Sequence, residues 1–358
     1  MLANGNGERS VTLDTTSKHL TARQAAFSCL SRFNPVFPGR GLDAHASAEV
    51  LDHAMAYGLY LSSVSLMGME PEAINAARWL RENAIRKDDG FGWGLPFAWR
   101  AFGRDPPNPV DTIYGITTAL AVQGLLYAHT RIGVPAALQT ATEALDRYKG
   151  YASTTDAGLF FWYSDQPEDA QNVHNVNAML AAQYQHAGTI LGRDDFKRLA
   201  KDAVSDLTAH IQVGENGEFW SYGDRIERPN DAVHAAYTVL GLSAVEGPLD
   251  ASSEHHGAVR YLRKFFRDGK AYEFVRHPAL NQKKVETPAR PWGPGMLLFA
   301  GSELSDPLLI DLAFPFAANA RIQSFYPRQM AHIALGLAKC ADYYDPERSA
   351  QHDTPARV

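Results

Sequence analysis

Cysteine is scarce in this sequence, since Cys29 and Cys340 are the only two among 358 residues. Two cysteines cannot build a disulfide framework, and their separation matches no metal-binding spacing. We therefore interpret both as thiols of the hydrophobic core. A strong charge of one sign is also absent, because the formal net charge is only −6. Without a basic surface, the sequence gives no indication of a nucleic-acid partner.

Long apolar runs are missing as well. No stretch approaches the ~20 apolar residues that a membrane-spanning helix needs, so we predict no membrane span. Residues 1–16 are polar and contain no apolar run of the kind found in signal peptides, so we expect a flexible N-terminus and a cytoplasmic protein. The charged segment 345–358 is expected to be frayed. This leaves 17–344 as a single predicted domain.

Extended stretches with alternating Val, Ile or Thr, which would predict a β-sheet, do not occur. Helical periodicity is present instead, and it predicts an all-α protein of about a dozen helices. The predicted helices span residues 21–33, 44–67, 71–84, 109–130, 135–148, 172–189, 194–212, 230–246, 253–267, 292–301, 307–318 and 326–344.

A glycine followed by aromatic residues recurs between these helices. Gly90, Gly158 and Gly217 mark three copies and Gly269 a weaker fourth, so successive glycines lie 68, 59 and 52 residues apart. Each period holds a polar helix, the aromatic turn and a more apolar helix, which is the pattern of repeated helical hairpins. About six such hairpins closing on themselves predict an (α/α)6 toroid, with an inner ring of buried helices inside an outer ring.

The first turns of the predicted inner helices carry many polar side chains. In a toroid these turns meet at one end, so we expect them to share a cavity. The candidates for chemistry are Asp111, His174, Tyr222, Asp231 and His234. Aromatic faces and polar edges suit a sugar, and the candidates for binding one are Trp93, Trp99, Trp162, Trp220, Asn175, Asn177, Arg225 and Arg328. Other polar or aromatic residues at the same end are Asp43, His45, Tyr114, Arg290 and Trp292.

These residues also have structural interpretations. Asp111, Asn172 and Asp231 are residue types that cap helix N-termini, and His174 and His234 could be hydrogen-bonded core histidines. Metal binding by His174, His234 and Asp231 fits no helical ligand signature. We therefore predict neither a metal nor a cofactor.

Five blocks of the sequence resemble one protein family. They are Trp-Gly-Leu-Pro-Phe-Ala-Trp at 93–99, Pro-Val-Asp-Thr at 109–112, Val-His-Asn-Val-Asn at 173–177, Trp-Ser-Tyr-Gly at 220–223 and Asp-Ala-Val-His at 231–234. In this order they resemble the VpsJ-like proteins of bacterial exopolysaccharide gene clusters, which look like (α/α)6 relatives of sugar epimerases and polysaccharide lyases. The resemblance spans about residues 90–245 and implies work on a carbohydrate without naming the bond.

The residue types leave several functions open. An epimerase or lyase would use His174, His234 and Tyr222 as acid and base, with amide and arginine groups binding the substrate. A glycoside hydrolase would need two carboxylates, for which Asp111 and Asp231 are the candidates. A non-catalytic glycan-binding protein would keep the aromatic cavity and need no histidine. A terpenoid cyclase also has an aromatic-rich α-toroid, but its D-x-D-D motif is absent here. We predict a carbohydrate enzyme with a sugar or oligosaccharide substrate.

Overall fold

The computed structural model describes residues 15–44, 49–247, 249, 254–321 and 326–345, with Glu227 described by its backbone alone. Thirteen α-helices lie within these ranges: α1 (Thr15–Leu30), α2 (Ala54–Leu66), α3 (Glu70–Glu82), α4 (Gly115–Tyr127), α5 (Ala137–Tyr148), α6 (His174–Leu191), α7 (Asp194–Ala209), α8 (Ala232–Glu246), α9 (His256–Arg263), α10 (Gln282–Val285), α11 (Trp292–Glu303), α12 (Pro307–Ala318) and α13 (Pro327–Tyr343).

Short strands connect outer helices to inner ones. In the same ranges they form six antiparallel pairs: β1 (Arg40–Gly41) with β2 (Leu51–Asp52), β3 (Ile85–Lys87) with β4 (Gly90–Gly92), β5 (Ala152–Thr154) with β6 (Leu159–Phe161), β7 (Gln212–Gly214) with β8 (Gly217–Phe219), β9 (Ser221–Gly223) with β10 (Ile226–Pro229), and β11 (Phe266–Arg267) with β12 (Lys270–Ala271).

The helices form two concentric rings. The inner ring runs α2, α4, α6, α8, α11 and α13, each packed on the next, and α13 packs back on α2 to close it. Every residue of α2 is buried, as expected for a helix that is apolar on all sides. The outer ring contains α1, α3, α5, α7, α9 and α12, and helices such as α7 bury one face only. The predicted (α/α)6 toroid is confirmed.

The predicted glycine-aromatic turns are the hairpins β3–β4, β5–β6, β7–β8 and β11–β12. Two of them fit tightly against the next outer helix. A Cβ atom on Gly158 would lie 2.1 Å from the carbonyl oxygen of Asp202 in α7, and one on Gly217 would lie 2.4 Å from the carbonyl oxygen of Gly257 in α9. Gly269 has no atom of this kind within 4 Å, so the copy that is weak in sequence also lacks the close packing.

Three helix starts differ from the prediction by six residues or more. The helix predicted over 21–33 is already formed at Thr15. The helix predicted over 44–67 begins at Ala54 because the β1–β2 pair precedes it, and the one predicted over 109–130 begins at Gly115. Of the predicted termini, 1–14 and 346–358 lie outside the described residues, as does His45. Both cysteines are free and buried, which confirms their assignment to the core. Among the helices described, none is both long and apolar enough to cross a membrane.

Candidate active site

A cavity of about 440 Å³ lies at the end of the toroid where the inner helices begin. This volume is in the range of about 300–1,000 Å³ that is typical of small-molecule sites. The second residue after the N-cap lines the cavity in five inner helices, and these residues are Met55, Ile116, Asn175, Val233 and Arg328. The fifth residue after the hairpin glycine also lines it in three repeats, namely Leu95, Tyr163 and Tyr222. Equivalent positions of the structural repeats therefore form much of the cavity wall.

Asp231 and His234 form a hydrogen-bonded pair on this wall. Asp231 caps α8 by accepting a hydrogen bond from the backbone N–H of His234 at 3.2 Å, and the same oxygen lies 2.6 Å from Nδ1 of His234. Burial alone would raise the pKa of Asp231, but His234 and the guanidinium of Arg290 outweigh it and lower that pKa to about 2. An ionised Asp231 keeps the proton of His234 on Nδ1 and leaves Nε2 for the cavity. Asp231 is therefore both the cap of α8 and a residue of the cavity wall.

One helical turn deeper, Tyr237 and His332 form a second pair. The hydroxyl of Tyr237 lies 2.5 Å from Nε2 of His332, and Nδ1 of His332 lies 2.6 Å from the carbonyl oxygen of Arg328. A carbonyl oxygen only accepts, so Nδ1 carries the proton and Nε2 accepts from Tyr237. Burial lowers the pKa of His332 to about 3. His332 is therefore neutral, and both side chains line the cavity.

Tyr237 and His332 were not among the candidates from the sequence, although the sequence contains a signal for them. Tyr237 is three residues after His234, and His332 is four residues after Arg328. Residues with these separations lie on the same face of a helix. Each missed residue is therefore the next one along a face that was already assigned to the cavity.

The arginines at the cavity are held by carboxylates. Arg290 donates to Asp231 at 3.0 Å and to Glu273 at 2.6 Å, while Arg328 lies 3.1 Å from Asp43. The predicted Arg225 is in the exposed turn between β9 and β10 and does not line the cavity. Arg228 on β10 lines it instead, with its guanidinium 5.7 Å from the ring centre of Tyr222.

The cavity wall contains buried polar atoms without a hydrogen-bond partner among the described residues. They include Oγ1 of Thr117, Oδ1 of Asn175 and Nε1 of Trp292. Leaving such an atom unpaired costs about 1–3 kcal/mol. A ligand rich in hydroxyl groups would satisfy both donors and acceptors. The half-buried ring of Trp99 and that of Tyr222 add apolar faces to the same wall.

Asp111 and His174 do not line the cavity, contrary to the prediction. Because α4 begins only at Gly115, Asp111 lies in the preceding turn with its side chain 69% exposed, 3.8 Å from Lys87. His174 is the first residue of α6, whereas His234 is the third residue of α8. Two residues turn a helix by about 200°. His174 therefore points away from the cavity, toward the carbonyl oxygen of Ser221 and the carboxylate of Asp224.

Three of the predicted tryptophans are structural. Trp93 and Trp220 are buried, so neither offers a ring face to a sugar. Trp162 is half-buried, but its Nε1 donates to Ser153 of its own hairpin at 2.8 Å, and it does not line the cavity. Asn177 is buried and donates to the carbonyl oxygen of Ala203 in α7 at 3.2 Å. The predicted residues that do line the cavity are Trp99, Asn175, Tyr222, Asp231, His234 and Arg328.

Comparison with known proteins identifies the fold. No family model matches the sequence, and no curated protein matches it. A family 76 glycoside hydrolase (mannosidase) from Bacteroides thetaiotaomicron has a similar structure, with a TM-score of 0.62, 10% identity, and coverage of 92% of this chain and 99% of that one.

Two further structures have similar scores. Cellobiose 2-epimerase from Bacillus thermoamylovorans gives a TM-score of 0.59 at 10% identity, covering 89% of this chain and 99% of that one. A family 8 glycoside hydrolase from Teredinibacter turnerae, solved with xylobiose, gives 0.60 at 15% identity, covering 93% and 97%. Hydrolases and epimerases share this toroid, so the reaction must be inferred from the side chains in the cavity.

Proposed function

We propose that this chain is a carbohydrate enzyme that moves protons on a bound sugar, as an epimerase or isomerase does. The observation that carries the proposal is the pair of Asp231 and His234 next to the pair of Tyr237 and His332. The ring centres of His234 and His332 lie 6.4 and 6.1 Å from that of Tyr237. Two acid–base groups in one cavity are what proton removal and return require.

The reaction starts with His234. Its Nε2 accepts a proton from the carbon next to the carbonyl of an open-chain sugar, and ionised Asp231 stabilises the imidazolium that forms. The carbon–hydrogen bonding electrons form a carbon–carbon double bond, and the π electrons of the carbonyl move onto its oxygen to give an enediolate. Positive charge from Arg228 and Arg290 at the cavity stabilises this oxygen.

The second pair returns the proton. The Tyr237 hydroxyl breaks its hydrogen bond to Nε2 of His332 and donates its proton to the same carbon, and exchange with solvent restores both groups. Because Tyr237 is hydrogen-bonded to neutral His332, its position is fixed before the sugar binds. Return on the opposite face inverts the carbon and gives an epimer. Return to the neighbouring carbon gives an aldose–ketose isomerisation.

The carboxylates of the cavity do not favour a hydrolase. Asp231 is the one carboxylate on the cavity wall among the described residues, and a pKa of about 2 keeps it from acting as a general acid. The other predicted carboxylate, Asp111, is exposed beside Lys87. Glycoside hydrolysis ordinarily needs two carboxylates that flank the bond, so the hydrolase ranks below proton transfer.

A uronate lyase is the second candidate, since it also begins with proton removal. Arg228 supports it because this exposed arginine of β10 lines the cavity and can pair with a uronate carboxylate. Membership of the VpsJ-like family, a role in polysaccharide biosynthesis and a cytoplasmic location complete the proposal. The sequence blocks between residues 93 and 234 support the first two of these.

Solvent deuterium tests the proposal. The protein is incubated in D₂O with reducing mono- and disaccharides, and exchange at the carbon next to the carbonyl is followed by NMR. We expect exchange with formation of an epimer or ketose, and a loss of about 10²–10⁴-fold in His234→Ala. His186→Ala is the matched control, because this half-buried histidine lines a second cavity.

Other outcomes distinguish the alternatives. An unsaturated product from oligouronates, without exchange on neutral sugars, would favour the lyase. Release of shorter neutral sugars that survives His234→Ala would favour a hydrolase. Binding of sugars without any turnover would support a glycan-binding protein and contradict the proposal.

A further inference from the structure

Two histidines and one aspartate meet outside the cavity. His174 comes from the start of α6, His210 directly follows α7, and Asp224 lies in the turn between β9 and β10. We name them the His174–His210–Asp224 cluster. One ligand atom from each lies within 4.8 Å of the other two. The side chain of His174 is 1% exposed, while those of His210 and Asp224 are 35% and 44% exposed, so the cluster opens to solvent on one side.

Both histidines direct the same ring nitrogen to the cluster. Nδ1 of His174 lies 2.9 Å from the carbonyl oxygen of Ser221, and Nδ1 of His210 lies 2.8 Å from that of Asp206. A carbonyl oxygen only accepts hydrogen bonds, so each Nδ1 carries a proton. In a neutral imidazole this leaves Nε2 with a lone pair. Backbone carbonyls that hold the Nδ1 proton are the usual supports of metal-binding histidines.

The two Nε2 atoms converge on one oxygen. They lie 3.1 and 3.3 Å from the same oxygen, Oδ1 of Asp224. Lone pairs at these distances repel unless a positive charge lies between them. With metal–ligand bonds of ~2.0–2.1 Å, as Zn²⁺ forms to imidazole nitrogen and carboxylate oxygen, two ligand atoms of a tetrahedron are about 3.3 Å apart. The two distances to Oδ1 of Asp224 therefore match two edges of a tetrahedral site, and all three ligand atoms lie within 4.8 Å of one another.

We propose that the His174–His210–Asp224 cluster binds one Zn²⁺ ion through both Nε2 atoms and the Asp224 carboxylate. Imidazole and carboxylate ligands suit zinc, and the exposed side of the cluster admits water as the fourth ligand. The ion joins the hairpin β9–β10 to α6 and to the end of α7. This hairpin carries Tyr222 and Arg228, so the ion fixes one wall of the cavity from outside. The zinc site is independent of the proposed function, because His174, His210 and Asp224 do not line the cavity.

Direct metal binding tests the site. The purified full-length protein is stripped with a chelator, dialysed and titrated with Zn²⁺ by calorimetry near neutral pH. Bound zinc is counted by elemental analysis. We expect one Zn²⁺ per chain, a higher melting temperature with zinc than without, and the visible absorption of tetrahedral Co²⁺ when cobalt replaces zinc.

Variants locate the ion. His210→Ala and Asp224→Asn remove ligands that are partly exposed, so the fold should survive, and each should weaken zinc binding by at least about 10–100-fold, the loss typical of disturbing a metal site. His234→Ala removes the histidine of the cavity and should leave zinc binding unchanged. The inference is overturned if the wild type binds no stoichiometric zinc, which would leave a protonated histidine pair as the explanation. It is also overturned if only His234→Ala weakens binding.

Discussion

Trp93 and Trp220 occupy the same position in two structural repeats. Each lies three residues after its hairpin glycine, and each indole N–H donates at 2.9 Å to the carbonyl of a leucine 13 residues earlier, Leu80 for one and Leu207 for the other. The acceptor is in the last turns of the preceding outer helix. Each tryptophan therefore joins an outer helix to the hairpin that follows it.

This equivalence predicts matched losses of stability. Trp93→Phe and Trp220→Phe should each lower the free energy of unfolding by about 1–3 kcal/mol, because a buried carbonyl loses its donor. Denaturant titration measures the change. Affinity for sugars should remain at the wild-type value in both variants. If either variant folds but binds sugars more weakly, that tryptophan contributes to sugar binding after all.

Trp99 should behave in the opposite way. Its half-buried ring lines the cavity, so Trp99→Ala should weaken sugar binding by about tenfold or more, in keeping with the energies of aromatic contacts. The melting temperature should change less than in Trp93→Phe. Calorimetric titration with a bound sugar, beside a thermal melt, measures both. If Trp99→Ala is largely unfolded, but the fraction that stays folded binds the sugar with wild-type affinity, Trp99 is a structural residue.

Substitutions of Asp231 and Asp111 should have clearly different effects on activity. Asp231→Asn should lower kcat by on the order of 10²–10⁴-fold, because His234 loses the ionised partner that fixes its tautomer. Asp111→Asn should have little effect, since Asp111 is an exposed partner of Lys87. Steady-state rates under identical conditions give the comparison. Equal losses in the two variants would revive the hydrolase with two carboxylates.

His332 should make stability depend on pH. Its pKa is lowered to about 3 in the folded chain by burial and is about 6.5 in an unfolded one. Between these values the unfolded chain binds the extra proton, so stability is full above about pH 6.5 and falls as the pH is lowered toward 3.

The expected loss across this window is on the order of 2–4 kcal/mol. It should be smaller in His332→Gln, while replacement of the half-buried surface histidine His277 by Gln should keep the wild-type slope. Urea titrations at several pH values measure it. Parallel slopes for the wild type and His332→Gln would show that another group is responsible.

Gly158 and Gly269 offer a test of the hairpin packing. A Cβ atom on Gly158 would lie 2.1 Å from a backbone carbonyl oxygen of α7, so Gly158→Ala should cost more than about 2 kcal/mol by forcing the two elements apart. Gly269→Ala meets no such atom but has a φ of +66°, and should cost only about 1 kcal/mol. Unfolding midpoints compare them. A larger loss of stability in Gly269→Ala than in Gly158→Ala would contradict the close packing of the hairpin β5–β6 against α7.

The fold was predictable because its signal repeats. The spacing of Gly90, Gly158 and Gly217 predicted the toroid, and helical periodicity distinguished apolar inner helices from amphipathic outer ones. The residues that line the cavity depend on the exact position of each side chain within its repeat, and the glycine spacing does not define that position. Phe161 holds the buried position that tryptophan holds in the neighbouring repeats, and the residue that lines the cavity in this repeat is Tyr163, so Trp162 lies between the two positions and occupies neither.

His174 shows the same limit within a helix. The sequence places a histidine near the start of both α6 and α8, but it does not give the residue at which each helix begins. An error of two residues reverses the direction of the side chain. Tyr237 and His332 lie in stretches that look like apolar core. Each follows a predicted cavity residue along its helix face, but the packing of α8 on α11 and of α11 on α13 is what brings the two side chains together at one cavity.

The closure of the inner ring has a consequence for motion. An open solenoid has two end repeats and can unravel from either one. Here α1 packs on α13, with the imidazole of His19 3.0 Å from the carbonyl oxygen of Ala341, and α13 packs on α2. Separation of any inner pair therefore exposes apolar faces on both sides, which makes unfolding of the ring a collective event. The cavity lies at one end of this ring, so its wall should keep its shape until the ring as a whole unfolds.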